Sequence, residues 1–294
     1  MKIEPRGQTG MFRRNTTFSI ESFEHSLAGQ AVSQVGSSFL RSAQRTGRTV
    51  LLFLDTCAQL PHVGRSVGAI IRQIEMSGVG SILVLSLIAF LTGTIMAVQT
   101  GSELVRIINN AENLGAIIGA TFVRELGPLW AAIIMLARVG AAMAAQLGTM
   151  AVNEEIDALR VMSINPVRYL VLPRVLALVI AMPLLTTIAD WVGMGGGAMI
   201  SSMMFNVSVD TYMQSAKGIL TGLDFFSGLV KSMVFGAIIA TIACDRGLHT
   251  TDGAEGVGRS TTESVVLSVV FVLIADLIMT SFIQVLIKPL LGVA

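Results

Sequence analysis

The chain has 294 residues, 53% of them hydrophobic and only 13% charged, with a formal net charge of +1. A soluble domain carries about 25% charged residues, so this chain lacks the charge to clothe a water-facing surface and reads as an integral membrane protein. The near-zero net charge, with no basic stripe interleaved with aromatics, excludes nucleic acid as a partner. The two cysteines, Cys57 and Cys244, form neither a disulfide framework nor a metal spacing.

Residues 1–46 lack the apolar core and small-residue site of a cleavable signal peptide. They carry Arg13, Arg14, Glu21 and Glu24 and read as a mobile cytosolic tail. Residues 47–75 mix apolar side chains with Arg48, Arg65 and Arg72 and are broken at Pro61 and Gly64. That is too much charge for a comfortable crossing, so an interfacial amphipathic helix is expected in preference to a sixth span.

Residues 76–294 hold five expected spans. About 20 apolar residues cross a hydrocarbon core of about 30 Å. The first run, Met76 to Ser102, has no charged residue. The second, from about Asn113 to Gly148, is interrupted by Arg124, Glu125 and Arg138. It is too long for a simple crossing and must tilt, bend at Gly127-Pro128 or project beyond the bilayer. The third, about Tyr169 to Ile200, contains Asp190. The fourth, about Phe225 to Cys244, has Lys231 near one end, and the fifth, about Ser264 to Ile287, has Asp276 in its middle. The expected fold is therefore all-α: five transmembrane helices plus an N-terminal interfacial helix.

Basic residues set the expected orientation. Residues 1–75 carry nine Lys and Arg. Arg160, Arg168 and Arg174 follow the second span, and Arg246 and Arg259 follow the fourth. The other side has Arg106, Lys217, Lys231 and Lys288. This places the N-terminus in the cytoplasm, the C-terminus outside, and the loops 149–168 and 245–263 in the cytosol. Small residues four apart, Gly140/Ala144/Gly148, Gly115/Gly119 and Gly193/Gly197, suit close helix packing.

No phosphate loop, H-E-x-x-H, G-x-S-x-G or C-x-x-C occurs, so no catalytic residue or metal ligand is expected and any ATP hydrolysis belongs to another chain. Two features remain. The loop around 152–162 reads as a short amphipathic helix capped by Asn153, with Ile156, Leu159 and Met162 on one face and Asn165-Pro166 as its stop. Such a helix fits a groove on a cytosolic partner or rests on headgroups. The second feature is intramembrane charge. Each such charge costs about 2.5–3.5 kcal/mol on insertion scales, so it faces a partner or a watery cavity. Arg124 and Glu125 are candidates for a polar pocket holding an anionic lipid headgroup. Arg138, Asp190 and Asp276 are expected to be structural. An alternative gives Asp190 and Asp276 to proton or sodium coupling in a secondary transporter, although no inverted repeat supports it. A membrane-embedded lipid enzyme lacks its catalytic constellation.

Several segments, taken in order, resemble the MlaE/YrbE permease family: Arg124-Glu125-Leu126-Gly127-Pro128, Ala137-Arg138-Val139-Gly140-Ala141, Gln146-Leu147-Gly148-Thr149-Met150, Glu154-Glu155-Ile156-Asp157-Ala158-Leu159 and Asn165-Pro166-Val167-Arg168-Tyr169-Leu170. Pro173-Arg174, Asp190 with its glycines, and Asp276-Leu277 continue the likeness, which covers about residues 50–290. Glu155 stands where the family often has Gln, and Asn165 where it often has Asp. The resemblance implies a homodimeric permease subunit of a lipid ABC transporter in the bacterial inner membrane. It implies an ABC ATPase partner holding ATP and Mg, a periplasmic MCE-domain protein, a small cytosolic STAS-type subunit, and phospholipid as cargo. Glu154, Glu155, Ile156, Asp157, Ala158 and Leu159 become the coupling helix, and Arg124 and Glu125 lie near the lipid path. No cofactor is expected on this chain.

Overall fold

The computed structural model describes residues 44, 46–61 and 67–287. The chain divides into two compact units, Met1–Arg48 and Thr49–Ala294. Apart from residues 44 and 46, the expected tail lies outside the described residues, and so does Lys288. The second unit contains no strand among its described residues.

Residues 49–58 form α1. Leu52 and Thr56 are buried, whereas Val50, Leu51, Phe53 and Leu54 are exposed. This leaves apolar side chains of α1 facing outward. Five further helices are long and apolar enough to cross a membrane: α2 (Val67–Ile108), α3 (Leu114–Val152), α5 (Val167–Phe205), α7 (Gly222–Leu248) and α8 (Gly253–Val285). Between them lie two short helices, α4 (Glu155–Val161) and α6 (Val209–Ile219).

The spans are longer than the uncharged runs suggest. The first begins at Val67, so residues 67–75 continue into the span instead of lying apart in an interfacial helix. Most of the expected loop 245–263 is also helical, leaving residues 249–252 as the link between α7 and α8. Arg246 and Glu263 pair across that link at 3.9 Å. The buried Asp245 accepts from Thr49 Oγ1 at 2.9 Å, tying α1 to the end of α7. Charge at these ends does not stop a helix, because it can pair or reach the headgroup region.

Small residues set the packing. From Gly80 onward the buried positions of α2 are Ser81, Leu85, Ala89, Gly93, Ala97 and Gly101, one every fourth residue. That stripe lies on α5, where a Cβ at Gly93 would fall on the Gly193 carbonyl and one at Gly196 on the Phe90 carbonyl. Helices in lipid gain little from apolar burial against each other, so such close approach supplies the association. α7 uses the same device on both sides: Gly228 meets the Val123 carbonyl and Gly247 the Ala144 carbonyl of α3, while Gly236 meets Leu178 of α5. Gly115 and Gly119 seat α6, against Tyr212 and Ala216. By contrast α8 buries only Gly256, Ser264, Ser268 and Val272, leaving most of its surface outward.

The irregularity of α3 falls where the sequence crowds charge and proline. A π-helical turn at Phe122–Leu126 precedes Pro128, and a second spans Leu136–Gly140 around Arg138. The helix therefore changes register at both places without breaking at Gly127-Pro128.

Candidate functional site

At one end of the bundle, five charged side chains from three helices meet. The π-helical turn at Phe122–Leu126 presents Arg124 and Glu125 from α3. Arg124 donates through Nε to Asp224 Oδ1 at 2.8 Å and through Nη2 to Oδ2 at 3.0 Å. Such bidentate charge-assisted pairs are the strong ones. Asp224 also closes the N-terminus of α7: its carboxylate accepts from the Thr221 N–H at 3.1 Å and hydroxyl at 2.8 Å, and Thr221 caps the Asp224 N–H in return. One carboxylate therefore starts a helix and holds the arginine.

Lys231, on α7, is 2% exposed. Its ammonium donates to Glu125 Oε2 at 2.9 Å, to the Arg124 carbonyl at 3.0 Å and to Thr280 Oγ1 of α8 at 2.6 Å. The Thr280 hydroxyl in turn donates a hydrogen bond to Glu125 Oε1 at 3.0 Å. Asp276 Oδ1 is also 3.0 Å from Nζ, but it makes no hydrogen bond. The three ammonium protons are directed elsewhere, so Asp276 contributes charge and not a bond. Two cations face three carboxylates here, and the side chains of Arg124 and Glu125 remain 28% and 34% exposed. The arrangement is zwitterionic with both signs accessible.

Beside the cluster runs an apolar groove of about 560 Å³, walled by Leu223, Phe226 and Val230 of α7 and by Ile278, Met279 and Phe282 of α8. Asp224, Ser227 and Ile283 line both the groove and the polar cleft that Arg124, Glu125, Lys231 and Thr280 enclose. The site is thus continuous, with charge at one end and hydrocarbon along the other, and its volume falls in the ~300–1,000 Å³ range of ligand pockets.

The other expected residues separate. Asp276 alone of them joins the cluster, 3.0 Å from Lys231. Arg138, on α3, reaches α2 and donates to Ser81 Oγ at 3.0 Å. Asp190 is buried on α5 against Gly127, with Oδ1 unpartnered. The 154–159 segment is remote along α3. There α4 spans Glu155–Val161, and its cap is Glu154 in the left-handed region, not Asn153. Pro166 opens α5 and does not stop α4; its missing N–H is harmless at a helix start. Ile156 is buried under the chain, but Val161 and Met162 are exposed, so the expected Ile156–Leu159–Met162 face does not stay together. Asp224 and Thr280 are not among the sequence candidates, and Lys231 stands there only as a charge near the end of a span. The signal for Asp224 was Thr221-x-x-Asp224 before an apolar run, a capping-box spacing. No group of three His, Cys, Asp or Glu among the described residues could hold a metal.

Comparison with known proteins gives this geometry a setting. Residues 70–282 match the family model described as permease MlaE. Trigalactosyldiacylglycerol 1, a chloroplastic protein of Arabidopsis thaliana, is 41% identical over 212 residues, which are 72% of this chain and 60% of the plant protein. The chain thus spans less than two thirds of that relative. A protein of Rickettsia typhi named as a probable ABC transporter permease is 36% identical over 84% of this chain and 95% of its own length. One of the same description from Synechocystis is 37% identical over 70% and 78%. With the charged Arg124-Glu125 turn and the α4 segment both inside the matched region, this polytopic membrane protein belongs to the MlaE family of ABC transporter permeases.

Proposed function

We propose that the chain conducts phospholipid as the permease subunit of an ABC-type lipid transport complex. The observation that carries this is the junction of the Arg124–Lys231 cluster with the apolar groove, since a phospholipid has the same two-part chemistry. A headgroup phosphate meets the open side of the Arg124 guanidinium, a headgroup ammonium meets Glu125, and an acyl chain follows Phe226, Ile278 and Phe282. The name of the plant relative refers to a glycerolipid, which supports a lipid cargo. Two copies form the pathway across the outward surface of α8. An ABC ATPase subunit, carrying ATP and Mg, docks at α4 through the segment Glu154–Leu159, while this chain binds neither. A periplasmic MCE-domain protein and a small cytosolic STAS-type subunit complete the complex. The chain lies in the bacterial inner membrane with its N-terminus cytoplasmic and its C-terminus periplasmic, as the basic loops suggest. Of the two aspartates of the ion-coupled alternative, Asp276 is already engaged by Lys231 at 3.0 Å, which leaves Asp190 as its test.

The test is lipid mass spectrometry on the purified complex. Phospholipid should co-purify with the native chain and fall with Arg124→Ala at unchanged assembly. Retention of lipid and of transport by that variant would remove the assignment.

A further inference from the structure

A second polar site lies further along α3 toward α4. Arg138 is 14 residues beyond Arg124, about 21 Å at ~1.5 Å per residue, so the two cannot serve one headgroup. Both helices at this level are irregular. The π-helical turn Leu136–Gly140 carries Arg138, and another, Glu75–Val79, lies in the facing α2. Such turns recur at functional sites. The guanidinium rests on Gly80, where any Cβ would collide with both Nη atoms. Among the described residues, the acceptor it donates to is Ser81 Oγ, a neutral group. No carboxylate pairs with it among the described residues, in contrast to Arg124, Lys231 and Arg246. An exposed, unneutralised guanidinium on a membrane helix is costly unless something anionic or aqueous meets it.

The space beside it is a cleft of about 130 Å³ lined by Gln73, Met76, Ser77, Arg138, Ala142 and Gln146, among others. Gln73 donates to Ser77 Oγ at 3.3 Å. Arg138, Ala142 and Gln146 follow one another at four-residue steps and are all exposed. The cleft therefore offers guanidinium and amide donors and no acid.

We propose that Arg138, with Gln73, Ser77 and Gln146, is a second anion subsite that takes the phosphate of a membrane lipid at the α4 end of the α2–α3 groove. It extends the lipid reading without depending on the Arg124 cluster. The guanidinium grips the phosphate oxygens, the two glutamines supply neutral donors, and Gly80 gives the guanidinium room to lie against α2.

The test places p-benzoylphenylalanine at Ala142 in the full chain, in vesicles of phosphatidic acid or of diacylglycerol with matched acyl chains, and measures cross-linked lipid. Phosphatidic acid should label, diacylglycerol should label far less, and Arg138→Gln should cut the phosphatidic acid yield by about tenfold, the scale of a charged hydrogen bond. Arg138→Lys should keep part of it. Excess inorganic phosphate should not compete, whereas competition would mean a free-anion site and overturn the lipid assignment. Equal labelling by both lipids in the native chain, or cross-links to a second copy, would also overturn the proposal. Ala142 labelling that persists in Arg124→Ala separates this subsite from the main pathway, and loss of that labelling would overturn its independence.

Discussion

Lys231 Nζ donates to the carbonyl of Arg124 at 3.0 Å, and the residue four positions beyond Arg124 is Pro128. In an α-helix that residue's N–H would bond the Arg124 carbonyl, but proline has none. The lysine therefore supplies the donor that proline lacks, while its single charge is shared by Glu125 and Asp276 on two other helices. Removing the ammonium leaves two carboxylates without their cation and one carbonyl without its donor. Breaking one partner of a buried ion pair costs about 3–5 kcal/mol. Lys231→Met should lower the midpoint of thermal unfolding sharply in detergent. Adding Glu125→Gln and Asp276→Asn should recover much of the loss, because the three groups act as one unit. Additive losses would show that they do not.

The exposed end of α4 separates docking from folding. Val161 is 86% exposed, whereas Ile156 is 3% exposed. Val161→Asp and Met162→Asp should leave the melting of the chain unchanged and abolish co-purification with an ABC ATPase subunit. Ile156→Asp should destabilise the chain itself, since it buries a charge without a partner. If Val161→Asp and Met162→Asp both retain the ATPase, α4 is not the coupling surface.

The spans were legible because they depend on local composition: uncharged runs such as Met76–Ser102 had to be helices in lipid. Their ends were not, because Arg246 and Glu263 look like loop residues until they pair across the α7–α8 link. The short α6 escaped for a similar reason. It is largely polar along its length, and its Ser208 cap, accepting from the Thr211 N–H, is a weak signal without its partner surface on Gly115 and Gly119. In the site, Arg124 and Glu125 stood out as charges inside an apolar run. Lys231 and Asp276 were visible singly, but their pairing is a tertiary fact. Nothing in sequence tells which of several intramembrane acids a lysine will meet.

Asp190 distinguishes the transport mechanisms. Its Oδ1 is buried without a hydrogen-bond partner and lies against Gly127. Asp190→Asn keeps the shape and removes any charge from an apolar site, so it should hold or raise the melting temperature and leave lipid transport in the reconstituted complex intact. Loss of transport with a stable fold would instead favour ion coupling at Asp190. Gly127→Ala should be poorly tolerated, because its methyl group would fall on the Asp190 carboxyl.

Two glycines on the spans should respond in opposite directions to the same change. A Cβ at Gly93 meets the Gly193 backbone, which cannot rotate away as a side chain would. α2 and α5 must then move apart along the stripe from Ser81 to Gly101. Overpacking of this kind costs about 1–3 kcal/mol, and a membrane offers no hydrophobic drive to close the gap again. At Gly195 a Cβ meets nothing within 4 Å, and φ is ordinary for a helix. Alanine there gains about 0.5–1 kcal/mol of helix stability with no packing loss. Gly93→Ala should therefore lower the unfolding temperature of the purified chain, and Gly195→Ala should hold or raise it. If both lower it equally, helix approach at Gly93 is not what joins α2 to α5. If only Gly93→Ala does so, the contact surface of these two spans is set by backbone proximity and not by side-chain volume.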